Sequence, residues 1–423
     1  PWQRPMGNID GTDYRGSSRF VARLNEAFAN ATTQHHNLYI HDIHYLAARI
    51  GLDHWFNPRQ WYLYKYAMDM ESIVALSWQL TGLITALFGL SKKCLAVDLD
   101  NTLWGGIIGD DGIDGICIGN ATAEAEAHTD LQRYIKTLKQ RGIVMAVCSK
   151  NDDANARMGF AHPESILHTD DFSSFKANWE PKTDNLRDIS KQLNLSCNHM
   201  VFLDDNPAER DLIRQQLPEI FVPEIGNDVT HFLKILDQSA QFESISLSKD
   251  DLQRAQYYQE NNTRQTEVQS FTSYNDFLKS LDMHTTIIPF CEKHIERITQ
   301  LINKTNQFNL TTQRGSVSDI LKMTHSNNHI SLTASLQDKF GDSGLVSVVA
   351  GEIQNRILHI TLWLMSCRVL KRGLEFALLE SLCKTALDKN INTLIGYYKP
   401  TAKNTMVATF YQEAGFQLVS DRN

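Results

Sequence analysis

Three apolar runs, each ending in a polar cluster, constrain the fold of this chain more than any other feature. They are CLAVDLD (94–100), GIVMAVCSK (142–150) and HMVFLDD (199–205). Helical stretches lie between them, such as DLQRYIKTLKQRG and KTDNLRDISKQLN. This alternation predicts βαβ units and a parallel sheet. Ligands bind at the carboxyl ends of such strands, which is where the polar clusters fall.

The first polar cluster has the residues that phosphoryl transfer to a carboxylate requires. Asp98 and Asp100 are two residues apart where the first strand ends, so both side chains can face one pocket. One carboxylate must attack phosphorus, another must move a proton, and a divalent cation must neutralise the phosphate. We therefore predict that Asp98 is the nucleophile and that Asp100 is the general acid and base.

The other polar clusters complete this set in the order that the chemistry needs. Ser149 ends the second strand, Lys182 opens the helix before the last strand, and Asp204 follows that strand. The predicted Mg²⁺ ligands are Asp98, Asp100 (also through its backbone carbonyl) and Asp204, supported by Asp205 and Asn206. The predicted phosphate contacts are Ser149, Lys150, Lys182, Asn101 and Thr102. Lys150 and Lys176 are rivals of Lys182 for the role of neutralising charge.

Each of these residues alone has an ordinary structural interpretation. A lone Asp-x-Asp is common in loops, a Ser after a strand is usually a cap, and a Lys is usually solvated. Their shared position at strand ends and helix starts favours the functional interpretation.

At these residues the sequence resembles the haloacid-dehalogenase superfamily and, more narrowly, the FkbH-like glyceryltransferase/phosphatase family. The resemblance lies in DLDNTLWGGIIGDDG, VCSKND, VFLDDNPAER, TNQFNLTTQR and SCRVLKRGLE, and it runs from about Lys92 to the end. It implies capture of the glyceryl unit of D-1,3-bisphosphoglycerate as a thioester, dephosphorylation, and transfer to the phosphopantetheine thiol of an acyl carrier protein in polyketide biosynthesis.

A thioester requires a reactive thiol, and Cys367 is the predicted one among seven scattered cysteines. It follows the apolar run HITLWLM at a strand end, where Arg368, Lys371 and Arg372 could lower its pKa. A buried structural cysteine remains the alternative. Cys94 and Cys148 are expected to lie in the core or to face away from the site. The absence of a CxxC pair is typical of reduced thiols in a cytosolic protein.

The same segment resembles the phosphate-binding turn of N-acetyltransferases, with Lys371 where glycine is expected. We expect Arg368, Lys371 and Arg372 to meet a carrier arm or an acidic carrier helix. Asn306 and Asn309, with Gln307, are candidates for amide contacts to the acyl group. Capping a helix is their structural alternative.

The expected fold is α/β, with four segments. A helical lead-in (1–91) resembles the end of an SGNH-hydrolase-like domain, although no nucleophile block precedes its His-Asp-Ile-His cluster at 41–44. A Rossmann-like haloacid-dehalogenase core with a minimal cap (92–227), a helical connector (228–283) and an N-acetyltransferase-like domain (284–423) follow. Within the lead-in, HNLYI predicts a short strand before a helix. The start at Pro1 suggests a piece of a larger protein, such as a domain of a megasynthase.

Composition and charge narrow the classes of function. A net charge of −8 and a pI near 6.0 argue against a dedicated nucleic-acid binder. The uncharged stretch 73–90 is long enough to raise the question of a membrane span, but its Ser, Gln and Thr residues favour a buried helix. We therefore expect a cytoplasmic enzyme without a membrane or nucleic-acid partner.

Two other functions remain open from the sequence. A plain Mg²⁺-dependent small-molecule phosphatase would release phosphate without a cysteine or a carrier protein. A non-enzymatic module that docks a carrier protein would not need the Asp98, Asp100 and Asp204 set, because clustered carboxylates are costly to keep.

Overall fold

The structure is a computed structural model that describes residues 3–35, 38–247, 252, 257, 258, 260, 264, 267, 271 and 273–419, without the side chain of Cys367. The chain forms two compact units. The first comprises Pro1–Phe88 with Glu243–Ile245, and the second comprises Gly89–Phe242 with Ser246–Asn423.

The first unit is helical where it is described. Its α-helices are Ser17–Gln34, Ile43–Ile50, Leu52–Trp55, Pro58–Tyr64 and Ser72–Leu87, and a 3-10 helix spans Gly7–Gly11. Asp42 caps the second of these helices by accepting a hydrogen bond from the Tyr45 N–H, a structural role for part of the His-Asp-Ile-His cluster. The prediction of a strand at HNLYI is wrong for the described residues 38–40, which have no neighbouring strand to pair with and are exposed.

The uncharged stretch 73–90 forms the helix Ser72–Leu87, but this helix is less buried than expected. Only Ser72, Gly82 and Ala86 are buried among its residues, and the exposed fraction of Val74 is 76%. This helix has more apolar side chains than positions that face the small core around Leu46, so some of these side chains are exposed. Among the described residues, no helix combines the length and apolar character that crossing a bilayer requires.

The second unit begins with a parallel sheet. Its strands are β1 (Cys94–Val97), β2 (Val144–Ser149), β3 (Ser174–Ala177) and β4 (Met200–Leu203), in the order β3-β2-β1-β4. The helices of this part are Ile108–Asp111, Ala123–Gln140, Asp153–Gly159, Lys182–Gln192, Pro207–Gln216 and Phe232–Gln238. Three of the four strands are the apolar runs identified in the sequence.

Register and alternation in this sheet position the polar clusters. Val97 of β1 pairs with Leu203 of β4, so Asp98 and Asp204 both follow directly at the same edge. Cys94 and Ala96 pack on one face together with Met200 and Phe202 of β4. By the two-residue period, Asp98 and Asp204 belong to this same face. Leu186 and Ile189 place the helix Lys182–Gln192 there as well.

The insertion after β1 is small. The backbones of Gly105 and Cys117 exchange two hydrogen bonds. These bonds close a short loop segment before the helix that begins at Ala123. This insertion corresponds to the minimal cap that was expected.

A mixed sheet forms the rest of the second unit. Its strands are β5 (His284–Pro289), β6 (Phe308–Asn309), β7 (His329–Asp338), β8 (Gly341–Gln354), β9 (Ile357–Met365) and β10 (Thr393–Gly396). The order is β10-β9-β8-β7-β5, and β6 pairs with β9. The α-helices are Tyr274–Ser280, Ile295–Lys304, Val317–His325, Leu374–Asp388 and Phe410–Glu413.

Apolar clusters cover both faces of the mixed sheet. The helix Leu374–Asp388 packs on one face through Leu378 and Leu382, and the helix Ile295–Lys304 packs on the other through Ile298 and Leu301. The α/β fold class is therefore confirmed, with a parallel and a mixed sheet. The four segment boundaries stay predictions.

Candidate active site

A buried lysine joins two carboxylates at the carboxyl edge of the parallel sheet. Lys182 Nζ donates to Asp98 Oδ2 at 2.8 Å and to Asp204 Oδ2 at 2.5 Å. Asp98 is 7% exposed, Lys182 3% and Asp204 0%. The register of β1 and β4 aligns the two aspartates, and the helix on that face supplies the lysine.

Asp98 keeps one oxygen for another partner. Its Oδ1 atom is buried and accepts no hydrogen bond from the described residues. One carboxylate oxygen from each of Asp98, Asp204 and Asp205 lies within 4.8 Å of the others. One ammonium thus faces three clustered carboxylates, so the site has room and charge for a hard cation that prefers oxygen ligands. These residues fit Mg²⁺.

The pKa shifts reflect this crowding. Burial raises the pKa of Asp204, and the charge of Asp98 adds to the effect while Lys182 opposes it. Burial also raises the pKa of Asp205, again with a contribution from Asp98. Burial works against the charge of Lys182, but its pKa is raised because Asp98 and Asp204 hold the ammonium form.

Asp100 is held by three donors. Its Oδ1 accepts from Trp104 Nε1 at 2.9 Å and from the Ile108 N–H at 3.1 Å, and its Oδ2 accepts from Asn151 Nδ2 at 2.9 Å. Burial raises the pKa of Asp100, and the donors of Ile108 and Trp104 oppose this. A carboxyl whose pKa is raised suits proton transfer near neutral pH. The Asp100 side chain is not part of the three-carboxylate cluster.

The turn after β4 is fixed from three sides. Arg210 is buried and donates to the backbone carbonyls of Asp204 at 3.0 Å and Asp205 at 2.6 Å. Thr102 Oγ1 donates to Asp205 Oδ1 at 3.2 Å and accepts from the Asp205 N–H at 3.1 Å. Asn206 donates its N–H to Asp204 Oδ1 at 2.9 Å and caps the next helix. Asp204 and Asp205 are thereby positioned before any ligand binds.

The two rival lysines pair with other carboxylates. Lys150 pairs with Glu209 Oε1 at 2.6 Å, and Lys176 lies 4.0 Å from Asp188 Oδ2. Ser149 is buried at the end of β2. Asn101 has a φ of +55° and accepts from the Gly106 N–H, so its side chain closes the turn after the Asp98 strand.

A cavity of about 350 Å³ opens beside this centre. Asn101, Asp205 and Asn206 line it, together with Glu124 and His128 from the long helix after the insertion. Of the three clustered carboxylates, the one that lines this cavity is that of Asp205.

The structure separates the cysteines by their surroundings. Burial raises the pKa of Cys94 to about 12 and raises that of Cys148 further, so neither suits a thiolate. The backbone of Cys367 opens the 3-10 helix Cys367–Val369 directly after β9, but its side chain lies outside the described part of the chain. The prediction for Cys367 stays untested.

The predicted carrier contacts divide into two groups. Asn306 and Arg368 line one cavity, of about 330 Å³, and Gln307 lines it too. Asn309 is buried, donates to Thr305 O and accepts from the Thr312 N–H.

Arg372 and Lys371 lie apart from that cavity in the structure. Arg372 donates to Asp338 Oδ2 and Arg368 O, an internal position. Lys371 is exposed at a φ of +62°, a backbone conformation that favours glycine.

Sequence reasoning missed three residues that shape the centre. Asn151 and Trp104 hold Asp100, and Arg210 holds the turn after β4. All three lie within the motifs DLDNTLWGG, VCSKND and VFLDDNPAER, so those motifs contained the signal. Their amide, indole and guanidinium groups gave no indication of which carboxylate each would meet.

A little over half of this chain is similar to a crystal structure of the N-terminal part of the protein BF1531 from Bacteroides fragilis, which contains a phosphatase domain complexed with Mg. The sequences are 36% identical, the match covers 57% of this chain and 65% of that chain, and the TM-score is 0.55. This chain thus spans just under two thirds of that structure. The expectation of a phosphatase-domain fold is confirmed, while the narrower family resemblance stays a prediction.

Acetyltransferase structures match about a third of the chain. The ribosomal-protein-S18-alanine N-acetyltransferase of Escherichia coli is 13% identical over 32% of this chain and 80% of that chain, with a TM-score of 0.26. An acetyltransferase of Trypanosoma brucei is 16% identical over 33% of this chain and 97% of that chain, with a TM-score of 0.26. No family model and no curated protein matches this chain.

Proposed function

We propose that this protein is a Mg²⁺-dependent phosphatase-type enzyme that uses Asp98 as its nucleophile. The observation that carries the proposal is the Asp98–Lys182–Asp204 bridge, which leaves Asp98 Oδ1 buried without a hydrogen-bond partner among the described residues. The Mg-bound phosphatase domain of the Bacteroides fragilis protein supports it.

The residues divide the work as follows. When bound, Mg²⁺ would be held by Asp98, Asp204 and Asp205 and would offset the charge of a phosphate. Asp98 Oδ1 attacks phosphorus, and the bond to the leaving oxygen breaks as Asp100 gives that oxygen its proton. Asp100 then takes a proton from a water molecule whose oxygen attacks phosphorus. The bond between Asp98 Oδ1 and phosphorus breaks, which releases inorganic phosphate and restores the Asp98 carboxylate. Lys182 donates to Asp98 Oδ2 and so fixes the orientation of the nucleophile.

We further propose that the phosphatase centre serves glyceryl transfer. In this proposal Cys367 attacks the acyl phosphate carbon of D-1,3-bisphosphoglycerate, and inorganic phosphate leaves as the thioester forms. The remaining phosphate ester is cleaved at Asp98, and the acyl group passes to the phosphopantetheine thiol of an acyl carrier protein. Support comes from Ser366 and Arg368, the neighbours of Cys367, which line a cavity together with Asn306 and Gln307.

The two chemical steps would occur at separate places. The 330 Å³ cavity includes Lys93 and His199, which precede β1 and β4, whereas Asp98 and Asp204 follow those strands. Asp98 lies five residue steps of extended strand after Lys93, roughly 16 Å. A three-carbon phosphate cannot contact both places at once, so the acyl unit would have to move between them, as it could on a carrier arm.

Intact-protein mass spectrometry tests the proposal. The protein is incubated with Mg²⁺, a system that generates 1,3-bisphosphoglycerate, and a holo carrier protein, and both proteins are weighed. We expect a glyceryl-sized adduct on the enzyme and then on the carrier. Cys367→Ala should remove the enzyme adduct, while Cys291→Ala, which changes a partly exposed thiol outside that cavity, should retain it.

The other outcomes identify the alternatives. Phosphate release without any adduct would identify a plain phosphatase and refute glyceryl transfer. Carrier binding without Mg²⁺-dependent phosphate release would identify a docking module. An adduct that persists in Cys367→Ala would refute the assignment of the thiol.

A further inference from the structure

The long helix Ala123–Gln140 supports the turn that follows β1. Two of its buried side chains are four residues apart, so they lie on one face of the helix and reach consecutive backbone carbonyls of that turn. His128 Nδ1 lies 3.0 Å from Thr102 O, and Gln132 Nε2 donates to Leu103 O at 2.9 Å. His128 is 1% exposed and Gln132 is 0% exposed. The helix thus fixes the backbone of the turn at two adjacent residues.

The contact with Thr102 determines which nitrogen of His128 carries a proton. A carbonyl oxygen only accepts hydrogen bonds, so Nδ1 is the donor. Burial lowers the pKa of His128, while the Thr102 carbonyl and the charge of Glu124 oppose this. Nδ1 carries a proton in this neutral tautomer and in the imidazolium, so the ring donates to the turn in both states. Gly105 makes room for the ring, because a β-carbon there would lie only 3.3 Å from His128 Nε2.

Thr102 connects this support to the cluster of carboxylates. Its side chain is buried and makes two hydrogen bonds with Asp205: Oγ1 donates to Oδ1 at 3.2 Å and accepts from the backbone N–H at 3.1 Å. Two bonds to one residue hold its carboxylate in one orientation. One oxygen of Asp205 lies within 4.8 Å of an oxygen from each of Asp98 and Asp204. A displacement of the Thr102 backbone would therefore move one of the three proposed metal ligands.

The Asp205 carboxylate needs this support for two reasons. The cavity of about 350 Å³ borders it, so packed side chains do not hold it on that side. Burial raises the pKa of Asp205 and the charge of Asp98 adds to the effect, which means that the two carboxylates repel each other when both are ionised. The hydrogen bonds of Thr102 keep Asp205 in the cluster against this repulsion.

We propose that His128 is a positioning residue for the Mg²⁺ centre, and that it acts on Asp205 through Thr102. This inference rests on the Mg²⁺ centre of the proposed function and adds to it a residue that does not touch the metal ligands. Loss of a residue that bonds directly to a metal ligand commonly weakens metal binding by about 10- to 100-fold. His128 acts one residue further away, so we expect a smaller effect.

Calorimetric titration of the Mg²⁺-free protein with Mg²⁺ tests the proposal without turnover. His128→Leu removes the donor but stays apolar and buried, and we expect it to raise the dissociation constant for Mg²⁺ about three- to tenfold. In His128→Asn the side-chain amide takes the place of Nδ1, so the constant should stay within about twofold of the wild type. The matched control is Thr129→Val on the same helix, which removes hydrogen bonds to Gly119 and Ala125 and should leave Mg²⁺ binding unchanged.

A double-mutant cycle separates this role from a general loss of stability. Thr102→Val breaks the same connection at its other end, so His128→Leu/Thr102→Val should bind Mg²⁺ within about twofold of the weaker single variant. If the two fold-changes multiply instead, each residue acts alone and the proposal is overturned. If His128→Leu does not fold, His128→Gln replaces it, because its longer side chain puts the amide near the position of Nε2. It should bind Mg²⁺ more weakly than His128→Asn, and equal affinities would overturn the proposal.

The inference and the proposed function fail in different ways. If the wild type binds Mg²⁺ and releases phosphate from a generic aryl phosphate while His128→Leu binds Mg²⁺ equally tightly, the inference is wrong and the proposed function stands. If His128→Leu weakens Mg²⁺ binding as expected but the wild type releases no phosphate, the positioning role stands and the proposed function is wrong.

Discussion

At the carboxyl edge of the parallel sheet, Asp98, Asp204 and Asp205 cluster around one lysine, which contacts the first two. At the amino edge, five cationic residues line a cavity, and none of its described lining residues is acidic. The carboxyl edge is tightly buried, and its internal cation is fixed by two short contacts. The amino edge is more open and includes exposed Lys403.

The difference shows how each edge obtains its charge. The carboxylates follow paired residues of β1 and β4, so sheet register alone brings them together. The cations at the other edge come from segments as distant as Lys93, Arg297 and Lys403, and only the packing of the mixed-sheet part gathers them. The first edge suits a metal and a transferable phosphoryl group.

The largest effect should come from removing the nucleophile. Asp98→Asn keeps the size of the side chain but loses the attacking oxygen anion, so we expect Mg²⁺-dependent phosphate release to fall by at least about a thousandfold. Phosphate release from a generic aryl phosphate measures this. Asp130→Asn changes an exposed aspartate and is the control. Activity retained in Asp98→Asn would contradict the proposed nucleophile.

The next effect concerns the internal cation. Lys182→Met removes the ammonium from between Asp98 and Asp204, and loss of one partner of a buried ion pair costs about 3–5 kcal/mol. We expect this loss in urea unfolding with EDTA, and Mg²⁺ should restore part of it by neutralising the same carboxylates.

The control is Lys150→Met, which breaks the more exposed Lys150–Glu209 pair. It should cost less than about 1 kcal/mol, with no recovery in Mg²⁺. If Lys182→Met and Lys150→Met lose the same free energy of unfolding, Lys182 does not stabilise the buried carboxylates of Asp98 and Asp204.

The two edges also differ in what the sequence could predict. The apolar runs and their polar ends predicted β1, β2 and β4, their parallel arrangement and the residues at the carboxyl edge, because an apolar strand is a local pattern and the carboxyl ends of parallel strands lie at one edge of the sheet. The strand Ser174–Ala177 was not singled out, because its sequence, SFKA, is not a continuous apolar run and its two middle residues are only partly buried.

The rest depended on tertiary contacts. No local pattern distinguished Asn306 and Arg368, which line the cavity, from Asn309 and Arg372, which bond within the fold. Nor could the sequence show that Lys93 and His199 would meet residues some two hundred positions later. Such groupings depend on how the two sheets pack, which residue spacing does not encode.

A smaller effect should separate metal positioning from stability at the carboxyl edge. Thr102→Val keeps the shape but removes both hydrogen bonds with Asp205, so we expect a loss of about 1–2 kcal/mol and a severalfold higher Mg²⁺ concentration for half-maximal phosphate release. Thr129→Val also removes hydrogen bonds of a buried threonine, but those bonds join Thr129 to Gly119 and to Ala125. It should lose similar stability with no change in the Mg²⁺ requirement. If both variants need more Mg²⁺ for half-maximal phosphate release, the higher requirement is a general effect of destabilisation.

The smallest effect tests the field at the amino edge. Burial, with Lys93, Lys403 and Lys92, lowers the pKa of His199 from 6.5 to about 3. Between these values the unfolded chain binds a proton that the folded chain does not, so folding stability falls as the pH drops from about 6.5 toward about 3. For one proton the slope is at most about 1.4 kcal/mol per pH unit.

His199→Asn should remove that contribution, so the free energy of unfolding should fall less steeply over this range than in the wild type. The exposed His284→Asn is the control, and its profile should follow the wild type. If His199→Asn follows the wild-type profile as closely as His284→Asn does, the burial and the lysine charges at the amino edge do not disfavour the His199 imidazolium, and the contrast between the two edges would rest on the carboxylates alone.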